Sequence, residues 1–324
     1  MNATYSEYEI GSAGARIVLS VWEPGAPDIA GASAGTPRLP EAVIVFFPAT
    51  MVHPLFYEAL LKGFAARGFA VVGIHPVGHG KSPRTTKRFT IRDIVQNGRD
   101  AVSFAQERHP GVPVIAFGSS QGGIAAAALA SEDGRIAAAF PHNVVLTELP
   151  DSIEATSFPR WLKAFYRPAQ GAFKLLARLF PDRQIPLERY LDKNRISDDP
   201  AFWERVYADP LFLSAYPLSF LASLLTTRFP RLTDGSMRCP LYLVSDSGDR
   251  LFTEDYTRKV FERIKAPHKE MVVLHTGEHM LMATHPQEVC EALAEKMWAA
   301  ARAAGTTVLC CPLISDGMFP KEKV

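Results

Sequence analysis

Cysteine is scarce. None of the four in 324 residues, Cys239, Cys290, Cys310 and Cys311, has the spacing of a metal ligand, and the last two are adjacent. The chain therefore reads as one from a reducing compartment. Charge of either sign is not in excess either, since 35 Lys and Arg stand against 34 Asp and Glu and leave a formal net charge of +1. With the basic residues scattered, nucleic acid is not an expected partner. No stretch of about 18 apolar residues is present, so no transmembrane segment is expected. The start Met1-Asn2-Ala3-Thr4-Tyr5 lacks a basic segment followed by an apolar run, and a cytoplasmic location is expected. Internal repeats and heptads are absent too. What remains, 47% hydrophobic and 21% charged, is a globular composition able to bury a sizeable core.

Period and propensity predict short strands over 5–10 and 16–22, then a Gly/Ala/Pro/Ser-rich loop over 24–40. A regular alternation follows, with strands over 42–47, 70–75, 114–117 and 136–140 and helices over 56–67, 91–108 and 122–131. From about 144 to 236 only helical segments are expected, over 158–165, 172–179, 200–207 and 217–226. Strands over 241–245 and 270–275 and helices over 253–264 and 286–303 complete the pattern. Residues 306–324 fit no element and read as a tail. Such alternation implies a mostly parallel sheet covered by helices on both faces, because each parallel connection must cross over. The helical block is then a cap inserted after the sixth strand. The expected division is a core of residues 1–143 and 237–305, a cap of 144–236 and a tail of 306–324.

Gly118-Ser119-Ser120-Gln121-Gly122 fits Gly-x-Ser-x-Gly between a strand-like and a helix-like run. A serine at such a turn is forced into a strained conformation that exposes its hydroxyl, and the following helix aims its amides where an oxyanion would form. Ser120 is thus the candidate nucleophile, with Ser119 a small residue in the turn. A hydroxyl needs a base, and the base a third group to orient it. Among nine histidines, His279 lies in a loop after a strand, ahead of the alternatives His275 and His285. The acid should also follow a strand: Asp249 can bend back toward His279, while Asp246 is better placed to accept from backbone amides. The oxyanion donors expected are the amide of Gln121 and that of Thr50 or Met51, since Pro48 has no N–H.

The chain resembles the α/β-hydrolase superfamily over nearly all of 5–304. The resemblance rests on the elbow, Val77-Gly78-His79-Gly80-Lys81-Ser82, the acid loop Asp246 to Asp249 and Gly277-Glu278-His279. Ile196-Ser197-Asp198-Asp199-Pro200 and Tyr207-Ala208-Asp209-Pro210-Leu211 are similar to cap segments of the monoacylglycerol lipase and lysophospholipase branch. The resemblance implies an α/β-hydrolase fold and assigns nucleophile, acid and base to Ser120, Asp249 and His279. Three positions depart from the family: Pro48-Ala49 replaces His-Gly, His75 replaces an aspartate, and Gln121 stands where a small residue or Met is common.

Gly80-Lys81-Ser82 is no phosphate loop, because His75 occupies the required glycine position. Pro76 and Gly78 keep His75 and His79 from a helical metal pair, so neither metal nor cofactor is expected. His79 is expected to organise its turn. Aromatics of the inserted block should cover an apolar pocket over Ser120, with His53, His142, Trp161, Phe165, Trp203 and Phe212 as lining candidates. The expected activity is that of a serine hydrolase, esterase- or lipase-like, acting on a small-molecule ester with an apolar acyl or aryl part through an acyl-enzyme. Cleavage of an amide, thioester or activated carbon–carbon bond by the same residues is the alternative, and a non-catalytic binding protein the second.

Overall fold

The computed structural model describes residues 3–25, 39–84 and 88–309. The chain begins with a hairpin of β1 (Thr4–Ser12) and β2 (Ala15–Glu23), followed by β3 (Ala42–Phe47), α1 (Glu58–Ala66), β4 (Phe69–His75), α2 (Ile91–Arg108), β5 (Val114–Ser119), α3 (Gln121–Glu132) and β6 (Ile136–His142). Then come α4 (Tyr166–Leu179), β7 (Gln184–Pro186), α5 (Lys193–Ile196), α6 (Pro200–Ala208), β8 (Ala215–Pro217) and α7 (Leu218–Thr226). The chain returns to the sheet with β9 (Leu241–Asp246), α8 (Glu254–Arg263), β10 (Lys269–Leu274), α9 (Leu281–Thr284) and α10 (Pro286–Leu309).

Eight strands form one sheet in the order β1-β2-β4-β3-β5-β6-β9-β10. β1 and β2 are antiparallel, β2 runs antiparallel to β4, and every remaining pair is parallel. β3, β4 and β5 are buried at every residue, which is why they read as continuous apolar runs rather than alternating ones. Strand order reverses at β3: the chain steps outward to β4 and then back past β3 to β5. Right-handed crossovers in opposite directions put their helices on opposite faces. Accordingly α1 packs against α10, and α2 against α3. The loops at the C-terminal ends of β3, β5, β6, β9 and β10 meet along one edge, where ligands bind in sheets of this kind.

Two expectations are corrected. The block between β6 and β9 is not free of strands, since β7 and β8 pair antiparallel with Ile185 opposite Tyr216. Each is three residues long and ends in proline, too short for a period of two to be visible. The last helix continues to Leu309 rather than ending at 303. Cys310, Cys311 and most of the loop over 24–40 lie outside the described residues. No described helix is long and apolar enough to cross a membrane.

Candidate active site

Ser120 lies between β5 and α3 with φ 52° and ψ −114°, a left-handed backbone that costs a non-glycine residue roughly 1–3 kcal/mol. The neighbouring glycines make that turn possible. A Cβ on Gly118 would stand 2.2 Å from the carbonyl oxygen of Gly122, and one on Gly122 would stand 2.2 Å from that of Phe47. Backbone packs on backbone at both points, so the end of β3 is pressed against the start of α3. The amide of Gln121 opens that helix and has no partner within it.

Ser120 Oγ is 3.1 Å from His279 Nε2, and His279 Nδ1 is 2.8 Å from Asp249 Oδ2. All three residues are buried. The ring of Phe252 stacks on His279 at 5.6 Å with 8° between planes, fixing the imidazole from one side. Asp249 Oδ1 accepts from the amides of Leu251 and Phe252 at 2.7 and 2.9 Å. Burial alone would raise the Asp249 pKa, but the positive charge and hydrogen bond of His279, with help from His142 and the Phe252 amide, bring it down to about 2. The carboxylate is therefore ionised at neutral pH.

The alternatives have other work. Asp246 accepts from the amides of Gly248, Thr276 and Gly277 and from the Thr276 hydroxyl, tying the β9 loop to the β10 loop that carries His279. His275 is exposed and bonds to Ser247, and His285 bonds to Thr284 beside it. In the loop after β3, the Met51 amide donates to the Tyr216 hydroxyl at 2.8 Å, and Thr50 lines two cavities that reach Ser120.

The first of these cavities, about 30 Å³, brings Ser120 and His279 together with Trp203 and Phe212, and also Phe202 and Ile196. The second, about 50 Å³, runs from Ser120 past Ile124, Tyr190 and Leu224 to Val145. It shares Val145, Ser152, Thr156 and Leu225 with an outer groove of about 330 Å³ between α4 and α7. Four of the lining candidates stand outside these two cavities. Trp161 and Phe165 are 66% and 58% exposed and touch each other on an outer 3-10 turn rather than entering a cavity with Ser120. His53 is buried against Asp209, its Nε2 2.7 Å from the carboxylate. His142 is sealed beneath the site, 5.7 Å from the His279 ring, and burial first, then the charge of His279, lowers its pKa to about 3.

Sequence reasoning passed over Asn143. It follows β6 with φ 61° and donates from Nδ2 to Asp249 Oδ2 at 2.9 Å and to His142 Nε2 at 3.0 Å. An asparagine directly after a strand at the binding edge was the available signal, because asparagine tolerates the left-handed region.

A mostly parallel sheet with a serine on a strained strand-to-helix turn defines the α/β-hydrolase fold. The family model for serine aminopeptidase, S33, matches residues 38–285. The chain belongs to that family and is a serine hydrolase. It is 27% identical over 272 residues to a monoacylglycerol lipase of Mycolicibacterium smegmatis, covering 82% of this chain and 86% of that protein. Among solved structures it is similar to the monoacylglycerol lipase of Paleococcus ferrophilus, with a TM-score of 0.65 and 18% identity over 92% of this chain and 99% of that one. It is also similar to a soluble variant of monoglyceride lipase from Saccharomyces cerevisiae in complex with a substrate analog. There the TM-score is 0.69 and the identity 13%, over 94% of this chain and 96% of that one.

Proposed function

We propose that the chain hydrolyses carboxylic esters with an apolar acyl or aryl part, through an acyl-enzyme on Ser120. The observation that carries this reading is the buried line from Ser120 Oγ through His279 to Asp249 at 3.1 and 2.8 Å. Ser120 Oγ attacks the carbonyl carbon while His279 Nε2 takes its proton, and Asp249 supports the imidazolium. The oxyanion is held by the amides of Gln121 and Thr50. Thr50 is preferred to Met51 because the Met51 amide is already committed to Tyr216. His279 then protonates the leaving alkoxide, and water repeats the path to free the acid.

Residues 1–143 and 237–305 act as the catalytic core in this reading and 144–236 as its cap, since the inserted segment supplies much of the cavity wall around Ser120. The family's name raises peptide bond cleavage as a second reading. An aminopeptidase needs an anionic group for the substrate's ammonium, but none of the residues lining the two Ser120 cavities is Asp or Glu. An uncharged ester suits them better, and the monoacylglycerol lipases similar to this chain agree with that choice. In a p-nitrophenyl ester assay Ser120→Ala should lower kcat by roughly 10⁴ or more with an unchanged circular dichroism spectrum. Turnover near that of the wild type would defeat the proposal, and preference for an aminoacyl p-nitroanilide would favour the second reading.

A further inference from the structure

The loop after β3 is tied to the inserted segment through both peptide groups of Met51. Its amide donates to the Tyr216 hydroxyl at 2.8 Å, and its carbonyl accepts from the Leu213 amide at 3.0 Å. Met51 is fully buried and holds φ 64°, a backbone that a side chain larger than glycine keeps only when its surroundings impose it. Two residues on, His53 bonds to Asp209 at 2.7 Å, so the same loop meets the segment 209–216 at three points.

The direction of the hydrogen bonds at Tyr216 follows from its other partner. His79 Nδ1 lies 2.8 Å from the carbonyl oxygen of Val77, which can only accept, so the ring proton is on Nδ1. Burial pushes the His79 pKa down to about 4, and Nε2 keeps its lone pair at neutral pH. The Tyr216 hydroxyl, 2.6 Å away, must donate to it. Its oxygen is then free to accept from Met51. The relay Val77, His79, Tyr216, Met51 is consistent in every donor and acceptor and is buried throughout. The Tyr216 ring is also clamped by Phe220 at 4.5 Å and Phe89 at 6.4 Å, which leaves the hydroxyl little freedom.

We propose that Tyr216 is a positioning residue for the reaction: held by His79, it fixes the Met51 peptide and thereby aims the adjacent Thr50 amide at the oxyanion. The inserted segment thus completes the oxyanion site as well as roofing it. The inference rests on the esterase reading above, with Ser120 as nucleophile and Thr50 as donor. It also assigns a purpose to the Gly-His-Gly turn at residues 78–80, which presents the imidazole that orients Tyr216.

Tyr216→Phe keeps the ring and removes only the hydroxyl. It should lower kcat on a p-nitrophenyl ester by about 10- to 100-fold with KM nearly unchanged, less than the full loss of an oxyanion donor. The Ki of a trifluoromethyl ketone, which binds as the tetrahedral oxyanion, should rise by the same factor. His79→Gln, whose side-chain carbonyl still accepts from Tyr216, should retain more activity than His79→Leu, and this pair decides the matter if Tyr216→Phe does not fold. An unchanged kcat and Ki, or a rise in KM alone, would overturn the proposal, as would equal losses in the two His79 variants. If wild-type protein neither turns over the ester nor reacts with a fluorophosphonate, the esterase reading fails instead, independently of Tyr216.

Discussion

Acid should unfold this protein at an unusually mild pH, because three buried imidazoles are held neutral. His75 accepts the Lys81 amide on Nδ1 and faces the Ser20 hydroxyl with Nε2, and burial, then the charges of His53, Lys81 and His79, bring its pKa down to about 3. Burial likewise takes His79 to about 4 and His142 to about 3. In the unfolded chain each would titrate near 6.5. The folded state therefore binds fewer protons than the unfolded state as pH falls below that value. The stability these groups allow is complete above 6.5 and is lost as pH drops toward 3 or 4. At about 1.4 kcal/mol per pH unit for each group, the loss between pH 7 and pH 5 is about 2 kcal/mol per histidine and about 6 kcal/mol for three. That is comparable to the whole stability of an ordinary domain, about 5–15 kcal/mol. Urea unfolding at pH 7, 6 and 5 measures it. His75→Gln, which can keep a donor and an acceptor at the same place, should flatten the dependence by about 2 kcal/mol over that range. A wild-type loss under about 2 kcal/mol, or a His75→Gln curve parallel to the wild type, would show that these imidazoles are not held neutral by the fold.

Other consequences are equally direct. Val145 stands where the inner cavity meets the outer groove, so Val145→Phe should cut kcat/KM for decanoate esters at least about tenfold while sparing acetate esters, as measured across a chain-length series. Asp249→Asn should lower kcat by roughly 10³ to 10⁴, because the amide cannot support the imidazolium as the carboxylate does. A loss under tenfold in the same assay would move the orienting role to Asp246. Gly122→Ala drives a Cβ into the backbone of Phe47 and Pro48, and thermal melts should show it unfolded or severely destabilised.

The elbow was legible in the sequence because its chemistry is local: glycines, a serine and a helix start must be neighbours in the chain to make that turn. The strands of the sheet were legible for a similar reason, since β3, β4 and β5 are buried on both faces and leave unbroken apolar runs. The inserted block was harder to read. Its aromatics are alike in composition, yet Phe202, on α6, is buried and Trp161, on an outer 3-10 turn, is exposed. Asn143 and Tyr216 matter through partners 106 and 165 residues away, Asp249 and Met51, and no spacing rule reaches so far. His53 and His142 follow strands and so looked like pocket residues. The fold turns one toward Asp209 and buries the other under His279.

Activation of Ser120 by His279 underlies every step of the proposed reaction. Incubation of the purified chain with a fluorophosphonate, followed by intact mass and peptide mapping, probes that activation. A single adduct on Ser120 is expected, formed rapidly by wild-type protein, absent from Ser120→Ala and greatly slowed in His279→Ala. No adduct on the wild type, or one on another residue such as Ser119, would rule out Ser120 as the nucleophile.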